Sequence, residues 1–147
     1  MSVHFSSKTD DWYTPQYIID DVCEAYGLGW FELDACASKE NTKADTFYTK
    51  EENGLTKNWS QYDSVWCNPP YGKEIGKWIK KAYEESMKGA WVCMLIPSRT
   101  DTKWWHDYVM KGDITFIKGR IKFGGSKNSA PFPSALVVFD KNKMENK

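Results

Sequence analysis

The chain carries the stretch Asp63-Ser64-Val65-Trp66-Cys67-Asn68-Pro69-Pro70-Tyr71-Gly72, in which an apolar run meets two successive prolines. Val65 to Cys67 predict the end of a buried strand. The prolines remove two backbone N–H donors and fix φ, so regular pairing stops here. In open α/β sheets, ligands bind outside the carboxyl ends of the strands. We therefore expect Asn68 and Tyr71 to lie on a rigid turn at the mouth of a cleft.

The groups on this turn suit a planar ligand that carries an amino group. The Asn68 carbonyl oxygen can accept two hydrogen bonds, and the backbone carbonyls beside the prolines have no ladder partner. Tyr71 adds a flat aromatic face. Two acceptors beside a stacking surface would hold an NH₂ group and raise its nucleophilicity. The motif alone leaves open an alternative, a strand-ending turn with a surface tyrosine.

Five motifs occur in the order found in phage-type DNA N-6-adenine-methyltransferases, and the chain resembles that family over most of residues 10–140. The motifs are Trp12-Tyr13-Thr14-Pro15, Leu33-Asp34-Ala35-Cys36-Ala37-Ser38, Trp66-Cys67-Asn68-Pro69-Pro70-Tyr71-Gly72, Pro97-Ser98-Arg99-Thr100-Asp101-Thr102 and Gly119-Arg120-Ile121-Lys122-Phe123. The Asn-Pro-Pro-Tyr box is shared with enzymes that act on RNA or protein glutamine, whereas the ordered set is more specific. The resemblance implies a Rossmann-like class I methyltransferase sheet, the cofactor S-adenosylmethionine and DNA as partner.

The resemblance also implies roles for individual residues. The catalytic residues would be Asn68, Pro69, Pro70 and Tyr71. Asn68 and the Pro69 carbonyl would hold the amine of a flipped adenine, and Tyr71 would stack on the base. Acceleration would come from alignment and electrostatics, without a covalent intermediate. The cofactor site would be formed by Trp12, Tyr13, Thr14, Pro15, Asp34, Ala35, Cys36, Ser38 and Asn68, with Asp34 near the α-ammonium group.

The first half of the sheet is predicted to be trimmed. Residues 30–33 are typical of a strand that ends at Asp34, and residues 44–49 of a second strand. The gap between them is too short for a helical crossover, so a helix is missing or reduced to a turn. The intervening loop has no glycine, unlike the commoner, glycine-rich loop that wraps the cofactor in methyltransferases. Asp45, Glu52 and Asn53 are candidates for the cofactor ribose or adenine, although solvated loop residues are the simpler account.

The remaining segments predict the order α-β-β-β-α-β-α-β-β in a single domain over residues 1–147, and the family resemblance implies an antiparallel strand near the C-terminus. Thr14 as N-cap and Pro15 as first helical residue begin a helix that Gly27 closes. The later elements are a helix over 74–88, a strand over 90–96, a helix over 103–111, a strand over 113–118, an edge hairpin from Gly119 and a strand over 134–139. The helix over 103–111 could be capped by Ser98, Thr100, Asp101 or Thr102. Residues 1–11 and 141–147 are expected to be polar, flexible tails.

Charge is distributed unevenly along a chain whose net charge is zero. Residues 1–71 carry 5 Lys and Arg against 12 Asp and Glu, whereas residues 72–127 carry 12 against 6. A basic second half suits a surface that follows phosphates, although solvated helix faces would give the same counts. The basic loop over 119–134 is the best candidate for touching DNA, with a plain hairpin loop as the alternative. The predicted DNA contacts are Arg99, Arg120, Lys122 and Lys127.

Several classes of site are not indicated. The four cysteines have no zinc-ligand spacing, so we expect buried thiols and no metal. No apolar run is long enough to span a membrane, and we expect a cytoplasmic phage or prophage protein in a bacterial host. The oligomeric state, monomer or homodimer, stays open. Two rivals to DNA methylation remain: a methyltransferase for RNA or a protein amide, and a non-catalytic nucleic-acid-binding relic of the fold.

Overall fold

The computed structural model describes residues 12–124 and 126–144, so the tail expected at residues 1–11 lies outside the described residues. The helices and strands are α1 (Gln16–Tyr26), β1 (Leu33–Asp34), β2 (Thr46–Phe47), β3 (Ser64–Cys67), α2 (Ile75–Met87), β4 (Trp91–Pro97), α3 (Lys103–Asp107), β5 (Asp113–Phe116), β6 (Ser134–Phe139) and α4 (Lys141–Met144). Short 3₁₀ helices lie at Gly54–Thr56 and Val109–Lys111. Helix α4 falls where a flexible tail was predicted. Within residues 12–124 and 126–144, every helix is too short or too polar to cross a bilayer.

Six strands of the described residues form one sheet in the order β2-β1-β3-β4-β6-β5. Strands β1 to β4 are parallel: Leu33 lies beside both Thr46 and Val65, and Val65 lies beside Val92. Strand β6 runs antiparallel to its two neighbours, β4 and β5. The predicted α/β class, a trimmed methyltransferase-like sheet with a reversed strand near the C-terminus, is confirmed.

The link between β1 and β2, residues 35–45, contains no helix, as the short sequence gap predicts. Both strands have only two residues, fewer than the segments predicted over 30–33 and 44–49. The link is held instead by two backbone hydrogen bonds of 3.0 Å, from Ala37 N to Tyr48 O and from Tyr48 N to Asp34 O. A loop therefore lies at the carboxyl end of β1, where a crossover helix would otherwise begin.

Helix α1 begins one residue later than predicted, because Thr14 is not its cap. Pro15 is the N-cap residue, and no side chain caps the helix. The Thr14 hydroxyl oxygen instead accepts a hydrogen bond from Asn68 Nδ2 at 3.0 Å. The contact with Asn68 thus connects the segment before α1 to the turn after β3.

Helix α3 is capped by Thr102, whose Oγ1 accepts a hydrogen bond from Trp105 N at 3.3 Å. Thr102 is one of the caps expected from the sequence, whereas Thr100 and Asp101 do not cap the helix. The helix is also shorter than the 103–111 segment predicted, and a 3₁₀ turn at Val109–Lys111 follows it.

The connection between β5 and β6 returns to the segment before α1. Strand β5 ends at Phe116, and the hairpin predicted from Gly119 is absent from the described part of this connection, residues 117–124 and 126–133. Gly124 N donates to Tyr13 O at 2.8 Å, which makes an isolated antiparallel bridge. The sequence did not predict this contact, because it joins residues more than a hundred positions apart.

The centre of the core is formed by β3 and β4, which fixes where the turn at Asn68 begins. All residues of β3 and all but one residue of β4 are buried. Glu85 of α2 is also buried, and its Oε1 accepts hydrogen bonds from Trp59 N at 2.6 Å and Ser60 N at 3.2 Å. The chain that enters β3 is therefore tied to α2. Of the predicted buried thiols, Cys67 and Cys93 are buried, whereas Cys23 and Cys36 are half-buried.

Candidate active site

A cavity of about 410 Å³ lies at the carboxyl ends of β1 and β3. Pockets that bind small molecules commonly measure roughly 300–1,000 Å³. Many residues predicted from the sequence line this cavity: Trp12, Tyr13, Thr14, Asp34, Cys36, Ser38, Asn68 and Pro70. Pro15, Ala35, Pro69 and Tyr71 do not line it. The cavity is open between Asp34 and Asn68, so the two ends of neighbouring strands face one space.

The Asn68 amide is oriented by the segment before α1. Its Nδ2 donates hydrogen bonds to the Trp12 carbonyl oxygen and, at 3.0 Å, to Thr14 Oγ1. Its Oδ1 is buried and accepts no hydrogen bond within residues 12–124 and 126–144. The side chain of this lining residue therefore has one acceptor that is not used within the described chain.

The Asp34 carboxyl group has a structural role beside its place in the cavity wall. It is 2% exposed, and it accepts hydrogen bonds from Cys36 N at 3.3 Å and Lys43 N at 2.9 Å. These bonds hold the glycine-free loop, because a carboxylate that accepts from the amide two residues on makes a local turn. Burial raises the pKa of Asp34 to about 7, against the opposing effect of the two amides and the Lys43 charge. Each carboxylate oxygen can still accept a further hydrogen bond.

The rim of the cavity comes from the loops that follow β1 and β2. Ser38 N donates to Asn41 Oδ1 at 2.8 Å, whereas the buried Ser38 Oγ is without a hydrogen-bond partner in the described part of the chain. Burial lowers the pKa of Lys43, whose Nζ donates to Gln16 Oε1 at 3.2 Å. Two further lining residues, Ala37 and Trp66, belong to motifs quoted from the sequence. Sequence reasoning did not single out the other lining residues: Lys39, Glu40, Asn41, Lys43, Thr49, Lys50 and Glu51.

The lining residues that sequence reasoning did not single out could be recognised only by their position, since they follow the ends of β1 and β2. The proposed ribose candidates Asp45, Glu52 and Asn53 are all exposed and do not line the cavity. Glu52 instead accepts hydrogen bonds from Thr49 N and Oγ1. The side chain of the preceding residue, Glu51, is the acidic group that reaches the cavity from this loop.

Tyr71 is packed, and the expectation of an open aromatic face is wrong for this structure. It is 5% exposed, and its hydroxyl donates to Leu95 O at 2.8 Å. Phe132 packs edge-on against it at 5.6 Å between ring centroids, and Phe123 does so at 6.3 Å. Trp12 packs against the same two phenylalanines at 5.4 and 5.2 Å. Two rings from the β5–β6 connection therefore cover the tyrosine.

The four predicted DNA contacts do not belong to the cavity. Arg99, Arg120, Lys122 and Lys127 are all exposed. Arg99 follows β4, next to the end of β3, and the other three lie on the β5–β6 connection. Lys122 lies between the buried residues Ile121 and Phe123, so its backbone is anchored while its side chain reaches solvent. These side chains lie on segments that border the site.

No cluster of three or more His, Cys, Asp or Glu side chains suitable for a metal ion occurs in residues 12–124 and 126–144. The residues that line the cavity provide a buried amide oxygen on Asn68, a carboxyl group on Asp34 with a pKa near neutrality, and small polar groups on the loop after β1.

Comparisons with known proteins identify the family. A family model described as DNA N-6-adenine-methyltransferase (Dam) matches residues 2–146. A DNA N-6-adenine-methyltransferase of Haemophilus phage HP1 (strain HP1c1) is 32% identical over 141 residues, which cover 91% of this chain and 80% of that protein. A protein of the same description from Escherichia phage T1 is 37% identical over 95 residues, and the match spans 65% of this chain but only 39% of that protein. The membership expected from the sequence motifs is confirmed: the chain belongs to the DNA N-6-adenine-methyltransferase (Dam) family.

Proposed function

We propose that this protein is an enzyme that transfers a methyl group from S-adenosylmethionine to the exocyclic amine of adenine in DNA. The observation that carries the proposal is Asn68 Oδ1, a buried acceptor without a donor in the described residues, on a side chain that lines the cavity. Leaving such a group unpaired costs roughly 1–3 kcal/mol, so a ligand N–H that reaches it binds favourably. Family membership supports adenine and DNA as the choice of substrate.

The cavity residues fit S-adenosylmethionine. Besides Asn68 Oδ1, two buried polar atoms without partners in the described chain belong to lining residues, namely Trp12 Nε1 and Ser38 Oγ. The Asp34 carboxyl group lies in the same wall and can accept from an ammonium group. When bound, S-adenosylmethionine would supply an electrophilic methyl group, whose bond to the sulfonium sulfur breaks to leave a neutral thioether while the methylated amine releases a proton to water. The Asp34 loop would then hold the amino-acid end of the cofactor.

The turn after β3 would hold and orient the adenine amine. Asn68 Oδ1 and the Pro69 carbonyl accept hydrogen bonds from the two N6 hydrogens, which directs the nitrogen lone pair away from both acceptors and towards the cavity. The prolines keep these acceptors in place without reorganisation during the reaction. Alignment of this kind contributes more than proton transfer here, because no side chain in the described turn is a strong base.

A paired adenine cannot reach this turn, so the base must leave the duplex. Tyr71 would stack on the flipped base once Phe132, a half-buried residue of the β5–β6 connection, has moved away from it. Arg99, Arg120, Lys122 and Lys127 would bind the phosphates around the opened site. A phage protein with this activity would act on DNA in the cytoplasm of its bacterial host, where methylation protects DNA from restriction.

The proposal is tested by expressing the chain in bacteria that lack adenine methylation and measuring N6-methyladenine in hydrolysed DNA and RNA by mass spectrometry. The matched control is Asn68→Ala, expressed at the same level. We expect methylated adenine in DNA with the wild type and background values with the variant. Methylation confined to RNA, or found only in protein amides, would contradict the proposal. Absence of both methylation and calorimetric binding of S-adenosylmethionine by the folded protein would favour a non-catalytic relic.

A further inference from the structure

We propose that Thr14 is a positioning residue for methyl transfer: with the Trp12 carbonyl, its hydroxyl oxygen holds the Asn68 amide so that Oδ1 is presented to the substrate amine. The substrate in this statement rests on the proposed function, whereas the amide orientation is a property of the free protein. Asn68 Nδ2 donates to Trp12 O and to Thr14 Oγ1. Both amide hydrogens are thereby used, and Oδ1 keeps its full capacity to accept.

The Trp12 carbonyl permits only one of the two orientations of the Asn68 amide. A carbonyl oxygen only accepts, so turning the amide by half a circle would place Asn68 Oδ1 against Trp12 O with no hydrogen between them. The Thr14 hydroxyl can donate or accept, so it would not select an orientation alone. In the orientation that the Trp12 carbonyl selects, Thr14 Oγ1 accepts a hydrogen bond from the second amide hydrogen of Asn68 and so hinders rotation of the side chain. An amine that enters the site therefore meets an acceptor and not another donor.

The Thr14 hydroxyl is available for this contact because it has no role in the helix that follows. Thr14 is 7% exposed, and α1 begins without any side-chain cap. The partner of the hydroxyl is Asn68, 54 residues further along the chain. Removing the hydroxyl should consequently disturb the amide and leave helix α1 intact.

The segment that carries Thr14 is itself fixed in place. Gly124 N donates to Tyr13 O at 2.8 Å, and a Cβ at Gly124 would lie 3.2 Å from Tyr13 Cβ, so the two backbones are in close contact. The Trp12 ring packs at 5.2 Å on Phe123 of the same connection. Trp12 O and Thr14 Oγ1 are therefore held at defined positions relative to the end of β3.

Thr14 also lines the cavity, so direct contact with the cofactor is the competing role. The two roles separate in kinetics. A positioning residue changes the rate of methyl transfer and leaves the dissociation constant of the cofactor unchanged, whereas a cofactor contact changes that constant.

The test compares Thr14→Val, which removes the hydroxyl at similar volume, with Thr14→Ser, which keeps it. We expect kcat on DNA at saturating S-adenosylmethionine to fall about tenfold in the valine variant, the effect of one lost hydrogen bond. The serine variant should stay within about threefold of wild type, and the calorimetric Kd of the cofactor should change by less than about twofold in both. Wild-type kcat in the valine variant, an equal loss in both variants, or a tenfold weaker cofactor Kd would each overturn the proposal.

A second readout is independent of activity. The side-chain NH₂ signals of Asn68 in the ¹⁵N–¹H spectrum of the free protein are assigned by their disappearance in Asn68→Ala. We expect these signals to shift and to exchange faster with water in Thr14→Val, and to stay near their wild-type positions in Thr14→Ser. If the wild type does not methylate DNA but the signals respond in this way, the proposed function fails and the orientation stands. Signals that are unchanged by Thr14→Val would refute the positioning role itself.

Discussion

Asp34 should make the free protein less stable at pH 8 than at pH 5. Its carboxyl group is 2% exposed, and burial raises its pKa to about 7. In the unfolded chain the value is about 3.9. Between these two values the folded protein holds a proton that the unfolded chain has released, so lower pH favours the folded state. This advantage disappears as the pH rises through 7, and the full cost of burying the carboxylate is present above it.

The size of the effect follows from the difference between the two pKa values. A difference of about 3 units at 1.36 kcal/mol per unit limits the whole effect to about 4 kcal/mol. Most of the titration of the folded state lies between pH 5 and pH 8, which gives about 3 kcal/mol over that interval. A change of this size is a large fraction of the stability of a single domain.

The assay is urea unfolding of the wild type and of Asp34→Asn at both pH values. Asparagine keeps the shape of the side chain but cannot ionise, so the variant carries the pH dependence of all other groups. The free energy of unfolding of the wild type, minus that of the variant, should fall by about 3 kcal/mol from pH 5 to pH 8. Parallel pH profiles for the two proteins would refute the reasoning that burial dominates this carboxyl group.

Three further substitutions test the packing of Phe132 on Tyr71, the predicted DNA contact of Lys122, and the close contact of Gly54 with the loop after β1. Phe132→Ala should raise kcat/KM for DNA about two- to tenfold, because one of the two rings that cover Tyr71 is then absent; a lower value at unchanged stability would contradict this. Lys122→Ala should reduce the slope of log Kd against log salt concentration by about 0.9, as expected for one lost phosphate contact; an unchanged slope would place DNA elsewhere. Gly54→Ala should lower the thermal midpoint and weaken cofactor binding, because its Cβ would lie 2.2 Å from Ala35 O, whereas Gly29→Ala, with nothing within 4 Å, is the matched control; equal midpoints for the two variants would show that the loop yields freely.

The elements that sequence predicts well here are those set by local pattern. Two prolines after an apolar run mark the end of β3 whatever surrounds them, and the short gap after Asp34 excludes a crossover helix on length alone. The near-continuous apolar run that forms β4 likewise predicts a central strand. These features place Asn68 and Asp34 at one edge of the sheet, which is most of the cavity.

The features that were missed depend on contacts between distant segments. Thr14 has the local signature of a helix cap, but Asn68 provides its hydroxyl with a hydrogen bond across the fold. Tyr71 follows a turn and is therefore predicted to be exposed, but Phe132, from a distant part of the chain, packs against it. The sequence predicts Asp34 as a ligand for the cofactor but does not predict that the Lys43 and Cys36 amides hold its carboxyl group in position. Local pattern carries no information about which distant groups supply these partners.

The most direct test of the account is a single-turnover measurement with the wild type and Asn68→Ala on DNA, with S-adenosylmethionine binding measured in parallel by calorimetry. Removing the amide takes away the acceptor for the adenine amine but leaves the Asp34 side of the cavity intact. We expect the rate of methyl transfer by Asn68→Ala to fall about a hundredfold or more, as it does when one preorganised polar group is removed from a reacting centre. Its affinity for the cofactor should be largely kept. Methyl transfer by Asn68→Ala at the wild-type rate would contradict the account.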